Sequence, residues 1–96
     1  MLIVVAYDVN TMTTAGARRL RKVANLCEKF GVRVQNSVFE VMLDEAQFVT
    51  FKHDLTKLID LKLDSVRFYR FGNHYKNKIE VLGKTSPVQV DEPLLL

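Results

Sequence analysis

The sequence is nearly free of cysteine, since Cys27 is the single one among 96 residues. One thiol cannot form a disulfide within the chain, which excludes the disulfide-stapled secreted domains and suits a reducing compartment. A long apolar segment is also missing. No stretch approaches the roughly 20 residues that span a bilayer, and the apolar run at residues 2–7 is too short for a signal peptide. We therefore expect a soluble, cytoplasmic protein with no membrane partner.

Glycine and proline are scarce, with four and two residues respectively. Combined with a hydrophobic fraction of 48%, this scarcity excludes a disordered or low-complexity chain. A chain of 96 residues forms one domain with a modest core, which an oligomer can complete.

The net charge of +3 is small, but the charges are unevenly distributed. Residues 1–43 carry six Lys or Arg against three acids, and residues 65–84 carry five against one. Residues 44–64 reverse the balance with five acids against three bases, and residues 85–96 have two acids and no base. One basic surface suits a polyanionic partner, although an ordinary solvated surface gives the same composition.

The apolar run at residues 2–7 predicts a central β-strand that is buried on both faces. Asp8 follows it directly and is expected at the rim of the sheet, because burying an unpaired carboxylate is costly. Two roles remain open for Asp8: a metal ligand, or a hydrogen-bond acceptor for the loop at residues 10–14. One chain would supply half of a Mg²⁺ site, and a two-fold axis near Asp8 would supply the other half.

A helix is predicted from the threonines of the loop at residues 10–14, which suit an N-cap, to Phe30, with Gly31 as its left-handed C-terminal residue. Its apolar stripe buries Cys27, so a nucleophilic thiol is not expected. The cationic residues of this helix either hold phosphates or solvate its surface, and they are Arg18, Arg19, Arg21 and Lys22. Three arginines in four residues favour bidentate phosphate contacts.

Residues 32–43 are strand-like, but their apolar positions change from even to odd numbers. A strand cannot change parity without a turn or a bulge. We place a tight hairpin at Asn36-Ser37, and a single bulged strand is the alternative.

A second helix is predicted after Asp44, which forms a capping-box pattern with Gln47. A last strand follows at residues 64–71. The order β-α-β-β-α-β predicts an α+β, ferredoxin-like sandwich as the core domain, residues 1–78. Residues 79–96 contain two short strand-like segments, at 79–82 and 88–90, and three terminal leucines. We expect this C-terminal strand and tail to complete the partner's sheet in a homodimer, which would also bury the leucines.

The sequence resembles the family of CRISPR-associated protein 2 over nearly its whole length. The segments that carry the resemblance are YDV at 7–9, RRLRKV at 18–23, GVRVQNSVFE at 31–40, DSVRFY at 64–69 and VLGK at 81–84. The terminus at residues 93–95 is similar to that of the type I-C branch. The segment R-x-Q-x-SVFE is the most specific of these, whereas YDV alone is weak.

The resemblance implies a ferredoxin-like homodimer whose aspartates face each other across the interface. By position, the catalytic, metal-binding aspartate is Asp8, one from each protomer, with Mg²⁺ or Mn²⁺ as the cofactor. The matching arginines are Arg18, Arg19 and Arg33, to which the charge pattern adds Arg21 and Lys22 as nucleic-acid contacts. The supporting residues are Tyr7, Ser37 and Phe39.

The resemblance also implies a role in spacer acquisition, bound to the CRISPR-associated integrase and to prespacer DNA. Members are metal-dependent endonucleases, some acting on single-stranded RNA and some on double-stranded DNA. Two alternatives remain: a non-catalytic scaffold of the integration complex, and a toxin-like ribonuclease of the same fold that acts without an integrase.

Overall fold

Six elements follow one another in residues 1–83, the part of the chain that the computed structural model describes. They are β1 (Leu2–Asp8), α1 (Thr14–Glu28), β2 (Gly31–Gln35), β3 (Val38–Met42), α2 (Glu45–Leu58) and β4 (Ser65–Gly72). The strands form one antiparallel sheet in the order β2-β3-β1-β4. The predicted α+β, ferredoxin-like order is confirmed.

β1 is a central strand, but only one of its faces is fully covered within the chain. Ile3, Val5 and Tyr7 join the buried core that both helices contribute to. Successive side chains of a strand point to opposite faces, and Val4 and Ala6 on the other face are only half-buried. The prediction of burial on both faces is therefore wrong for the single chain. We call the face that carries Val4 and Ala6 the open face of the sheet.

α1 begins as predicted and ends differently. Thr13 is the N-cap, and its hydroxyl accepts a hydrogen bond from the backbone N–H of Gly16 at 3.0 Å. The helix ends at Glu28, two residues before the predicted end at Phe30. Gly31 is the first residue of β2 and has no positive φ, so its predicted role as a left-handed helix terminator is wrong. It is needed for another reason, because a Cβ there would lie 1.8 Å from the carbonyl oxygen of Glu40.

β2 and β3 form the predicted hairpin, joined by the two residues Asn36-Ser37. A register shift between Arg33 and Gln35 makes this hairpin irregular. The Arg33 side chain closes the turn, since its Nε donates to the carbonyl oxygen of Asn36 at 2.8 Å. The alternative of a single bulged strand is excluded.

α2 begins with the predicted capping box: Asp44 accepts from the backbone N–H of Gln47 at 2.7 Å, and Gln47 accepts from that of Asp44 at 2.9 Å. Its buried face includes Phe48 and Phe51, whose rings meet the Phe68 ring of β4 edge to face. The predicted strand at residues 79–82 is not formed within the chain. The predictions for residues 88–90 and 94–96 lie outside the described residues. Among residues 1–83, no helix has the length and apolar character needed to cross a membrane.

Candidate active site

Asp8 lies where the sequence places it, at the exposed end of β1 and on the open face. Its cross-strand partner is Ser65 of β4. The loop that follows is satisfied without Asp8, because Asn10 accepts from the backbone N–H of Met12 at 2.9 Å and from the hydroxyl of Thr13 at 3.4 Å. The role of loop acceptor is thus filled by Asn10. Asp8 keeps a carboxylate to which no group within residues 1–83 donates.

A buried carboxylate, Asp64, lies behind this strand end on the helix side. The Tyr7 hydroxyl donates to its Oδ2 at 2.5 Å, and Arg19 donates through Nε to Oδ2 at 2.8 Å and through Nη2 to Oδ1 at 3.1 Å. The backbone N–H of Asp60 adds a bond to Oδ2 at 3.0 Å. The Asp64 side chain is fully buried, and these donors satisfy it. We call Tyr7, Arg19 and Asp64 the buried triad.

The protonation states of the buried triad follow from its geometry. Burial alone would raise the pKa of Asp64, but the hydrogen bonds from Arg19, Tyr7 and Asp60 outweigh burial and hold it below the ordinary value. Burial, together with the hydrogen bond to Asp64, raises the pKa of Tyr7 to about 12. The hydrogen bond to Asp64 raises the pKa of Arg19 further above its usual range. At neutral pH the triad is therefore a carboxylate, a guanidinium and a neutral phenol.

Two residues expected at the site have a different role in the structure. Arg19 was predicted to contact nucleic acid, but its guanidinium is bound to Asp64 and its side chain is 18% exposed. Tyr7 was predicted to be a supporting residue of the site, and the structure places its side chain in the core, with 2% exposure. Asp64 draws both side chains inward, because a buried carboxylate needs donors.

The other predicted cations divide into two groups. Arg18, Arg21 and Lys22 are exposed on α1, where phosphates can reach them. Arg33 is half-buried, bonds the Asn36 turn and lies 5.7 Å from the centre of the Phe39 ring. Its Nε donor is therefore used within the hairpin.

Ser37 and Phe39 are close to the end of β1 but act through packing and the backbone. The backbone N–H of Tyr7 donates to the carbonyl oxygen of Ser37 at 2.9 Å. Phe39 is fully buried and pairs with Val5. The structure therefore brings the hairpin turn beside Tyr7, the residue before Asp8.

The open face around Asp8 carries both apolar and charged side chains. Val38 is half-buried there opposite Ala6, and Glu40 lies opposite Val4. Burial raises the pKa of the Glu40 carboxyl. Arg67 of β4 is exposed and lies opposite Ala6, two cross-strand pairs from Asp8.

Sequence reasoning missed Asp64 as a site residue, although it begins one of the segments that carry the family resemblance. Its partners Tyr7 and Arg19 are 57 and 45 residues away in the chain. No spacing rule connects residues that far apart. The available signal was an acid at the first position of the predicted strand, residues 64–71, where it enters the sheet.

A metal ion would find only part of a site in one chain. Residues 1–83 contain no group of three or more His, Cys, Asp or Glu side chains that could hold one. Mg²⁺ is commonly bound by one or two carboxylates together with waters and substrate phosphates. The exposed Asp8 carboxylate, to which no donor among the described residues is bound, fits half of such a site.

Comparison with known proteins gives concordant matches over this fold. The model of the family described as CRISPR associated protein Cas2 matches residues 1–79. The chain is 47% identical over 95 residues to the CRISPR-associated endonuclease Cas2 of Halalkalibacterium halodurans, covering 99% of both chains. It is 49% identical over 96 residues to the CRISPR-associated endoribonuclease Cas2 1 of Moorella thermoacetica, covering 100% of both.

Solved structures agree with the fold. The crystal structure of Streptococcus pyogenes Cas2 has a TM-score of 0.82 and 54% identity, covering 86% of this chain and 100% of that one. A hypothetical protein from Thermus thermophilus has a TM-score of 0.73 and 36% identity, covering 88% and 93% of the two chains.

Proposed function

This chain belongs to the CRISPR-associated protein Cas2 family, and we propose that it is a metal-dependent endonuclease that serves CRISPR adaptation as a dimeric, nucleic-acid-binding protein. The observation that carries the proposal is Asp8, an exposed carboxylate at a strand end that accepts from no donor in residues 1–83. The names of two relatives, an endonuclease and an endoribonuclease, support phosphodiester cleavage.

The dimer places two copies of Asp8 in one site. The open face supports this arrangement, because it carries Asp8 together with the half-buried apolar residues Val4, Ala6 and Val38. Two such faces packed about a two-fold axis bury the apolar residues and bring the carboxylates together. Residues 79–96 of each chain would complete the partner's sheet.

Asp8 and its symmetry mate would hold Mg²⁺ or Mn²⁺. The ion supplies a water of lowered pKa and a polarised phosphoryl oxygen when it is bound. Arg18, Arg21 and Lys22 bind the substrate phosphates from the exposed face of α1, where guanidinium groups make bidentate contacts. Arg19 holds no phosphate, since Asp64 occupies it.

The test is cleavage of single-stranded RNA and double-stranded DNA by Asp8→Asn with Mg²⁺ or Mn²⁺. We expect cleavage to fall by more than about 100-fold, because even second-shell changes at metal sites cost 10–100-fold. Asp54→Asn on α2 is the matched control and should cleave as the wild type does. Cleavage that persists in Asp8→Asn, or falls equally in Asp54→Asn, contradicts the proposal.

A scaffold function is favoured by a separate observation, the exposed cations of α1. In that function the dimer presents duplex DNA to the CRISPR-associated integrase without cutting it. Reconstituted spacer integration separates the two: Arg18→Glu with Arg21→Glu should impair integration more than Asp8→Asn does. DNA binding should also weaken steeply with salt, since phosphate contacts release counterions.

A further inference from the structure

The buried triad connects three parts of the fold at the Asp8 end of the sheet. Tyr7 belongs to β1, Arg19 belongs to α1, and Asp64 lies directly before β4. Asp64 also accepts from the backbone N–H of Asp60, four residues earlier. One carboxylate therefore holds a strand, a helix and the loop that leads into the neighbouring strand.

Asp8 is one residue away from the buried triad in β1, and its partner in β4 is also one residue away from it. In β1 it follows Tyr7, and in β4 its cross-strand partner Ser65 follows Asp64. On the β3 side, the paired residues end at Ala6 and Val38, and the last hydrogen bond runs from the Tyr7 backbone N–H to Ser37. Asp8 is thus held on one side, by β4, at the last row of the ladder, where strand ends open most readily.

Because successive side chains of β1 point to opposite faces of the sheet, the position of the Tyr7 side chain determines the direction of the Asp8 side chain. Tyr7 points to the helix side, where its hydroxyl reaches Asp64, and Asp8 points to the open face. Fixing the Tyr7 ring on one face fixes the direction of the Asp8 carboxylate on the other. Fixing Asp64 sets where β4 begins, and so where Ser65 meets Asp8.

We propose that Asp64 is a positioning residue for Asp8, holding the last row of β1 and β4 in register so that the carboxylate points from the open face. The catalytic part of this inference rests on the proposed function. The inference that Asp64 holds the ends of β1 and β4 in register depends only on the hydrogen bonds of the buried triad.

The test compares amide hydrogen exchange with cleavage in three variants. Asp64→Asn removes the charge, Tyr7→Phe removes one donor, and Arg19→Lys keeps the positive charge but loses the two-point contact. Asp54→Asn is the control. If Asp64→Asn fails to fold, the other two variants carry the test, because each leaves the Asp64 carboxylate at least one strong donor.

We expect exchange at residues 7–9 and 65–66 to rise about 10-fold or more, while the centre of β1 stays protected. In the Mn²⁺-dependent cleavage assay, kcat should fall 10–100-fold with KM for the nucleic acid unchanged. Exchange that is unchanged, or that rises equally throughout the sheet, overturns the inference.

The two proposals fail in distinguishable ways. If Asp8→Asn abolishes cleavage but all three triad variants cleave as the wild type does, the positioning role is wrong and the proposed function stands. If exchange rises locally but Asp8→Asn still cleaves, the proposed function is wrong and Asp64 still holds the strand end.

Discussion

At the scale of single residues, burial keeps two titratable groups neutral in the core. Tyr7 and Cys27 both have pKa values raised to about 12, from 10.0 and 9.0 respectively, and burial is the main cause in each. Neither group is a nucleophile at neutral pH. The expectation that Cys27 is buried is confirmed, since its side chain is 0% exposed.

Ionisation of Tyr7 should lower the free energy of unfolding at alkaline pH. Its pKa is higher in the folded state, so the stabilisation is complete below pH 10 and is lost as pH rises through about 12. We expect the free energy of unfolding of wild type to fall more steeply between pH 10 and 12 than that of Tyr7→Phe, which has no phenol to ionise there.

Urea unfolding of both proteins at pH 9 and at pH 11.5 measures this difference. Tyr75→Phe, which leaves the buried triad intact, is the control and should follow the wild type. Parallel losses in wild type and Tyr7→Phe would show that Tyr7 is not the titrating group. Cys27 remains in all three proteins, so its own titration cancels from the comparison.

At the scale of elements, Gly31 shows how one position sets a strand pairing. Its missing side chain lets β2 approach β3, where a Cβ would meet the Glu40 carbonyl oxygen at 1.8 Å. Gly31→Ala must push the two strands apart, and we expect a loss of about 1–3 kcal/mol in the free energy of unfolding.

Gly72→Ala is the comparison that separates a clash from backbone strain. Gly72 has a φ of 74°, and a Cβ there would have no atom of residues 1–83 within 4 Å, so alanine costs about 1–2 kcal/mol through φ alone. Denaturant unfolding gives the two losses. Hydrogen exchange should show the β2–β3 pairing opened in Gly31→Ala only, and intact pairing in that variant would contradict the clash.

The elements also show which parts of the fold could be predicted from sequence. The N-cap at Asp44 was predicted by residue, and that of α1 was predicted among the threonines of residues 10–14, because a cap is satisfied within three or four residues of chain. Gly31 was misassigned because a glycine that ends a helix and a glycine that begins a close-packed strand look alike in sequence. Only the position of the Glu40 carbonyl distinguishes them.

The candidate site likewise has features that the local sequence determines and features that only the completed fold determines. The position of Asp8 follows from the strand that precedes it, and its exposure was predicted. The role of Arg19 was not, because its partner Asp64 is 45 residues away and is brought near only by the completed sheet. Charge patterns report which residues are cationic, but the fold decides which cations remain exposed.

At the scale of the whole molecule, both helices contribute to a core on one side of the sheet. The open face keeps Val4, Ala6 and Val38 half-buried around Asp8. We expect Val38→Glu to raise the dissociation constant of the proposed homodimer by at least about 100-fold, because it places an unpaired charge in the proposed interface.

Sedimentation velocity over a range of concentrations measures that dissociation. Val49→Glu is the matched control, since Val49 is 65% exposed on α2, and it should leave the dimer unchanged. A wild type that stays monomeric at every concentration, or a Val38→Glu protein that stays dimeric, contradicts an interface on this face.

The central place of β1 has a consequence for how the chain folds as it leaves the ribosome. β1 is made first, yet it pairs with β3, which ends at Met42, and with β4, which ends at Gly72. At typical synthesis rates, those 30 residues take roughly 2 to 6 s to appear. During that interval one edge of the most apolar strand is open to other nascent chains. Asp8 is the first residue of β1 whose partner on that edge is made, because Ser65 begins β4, whereas Leu2 waits for Gly72 at the end of β4.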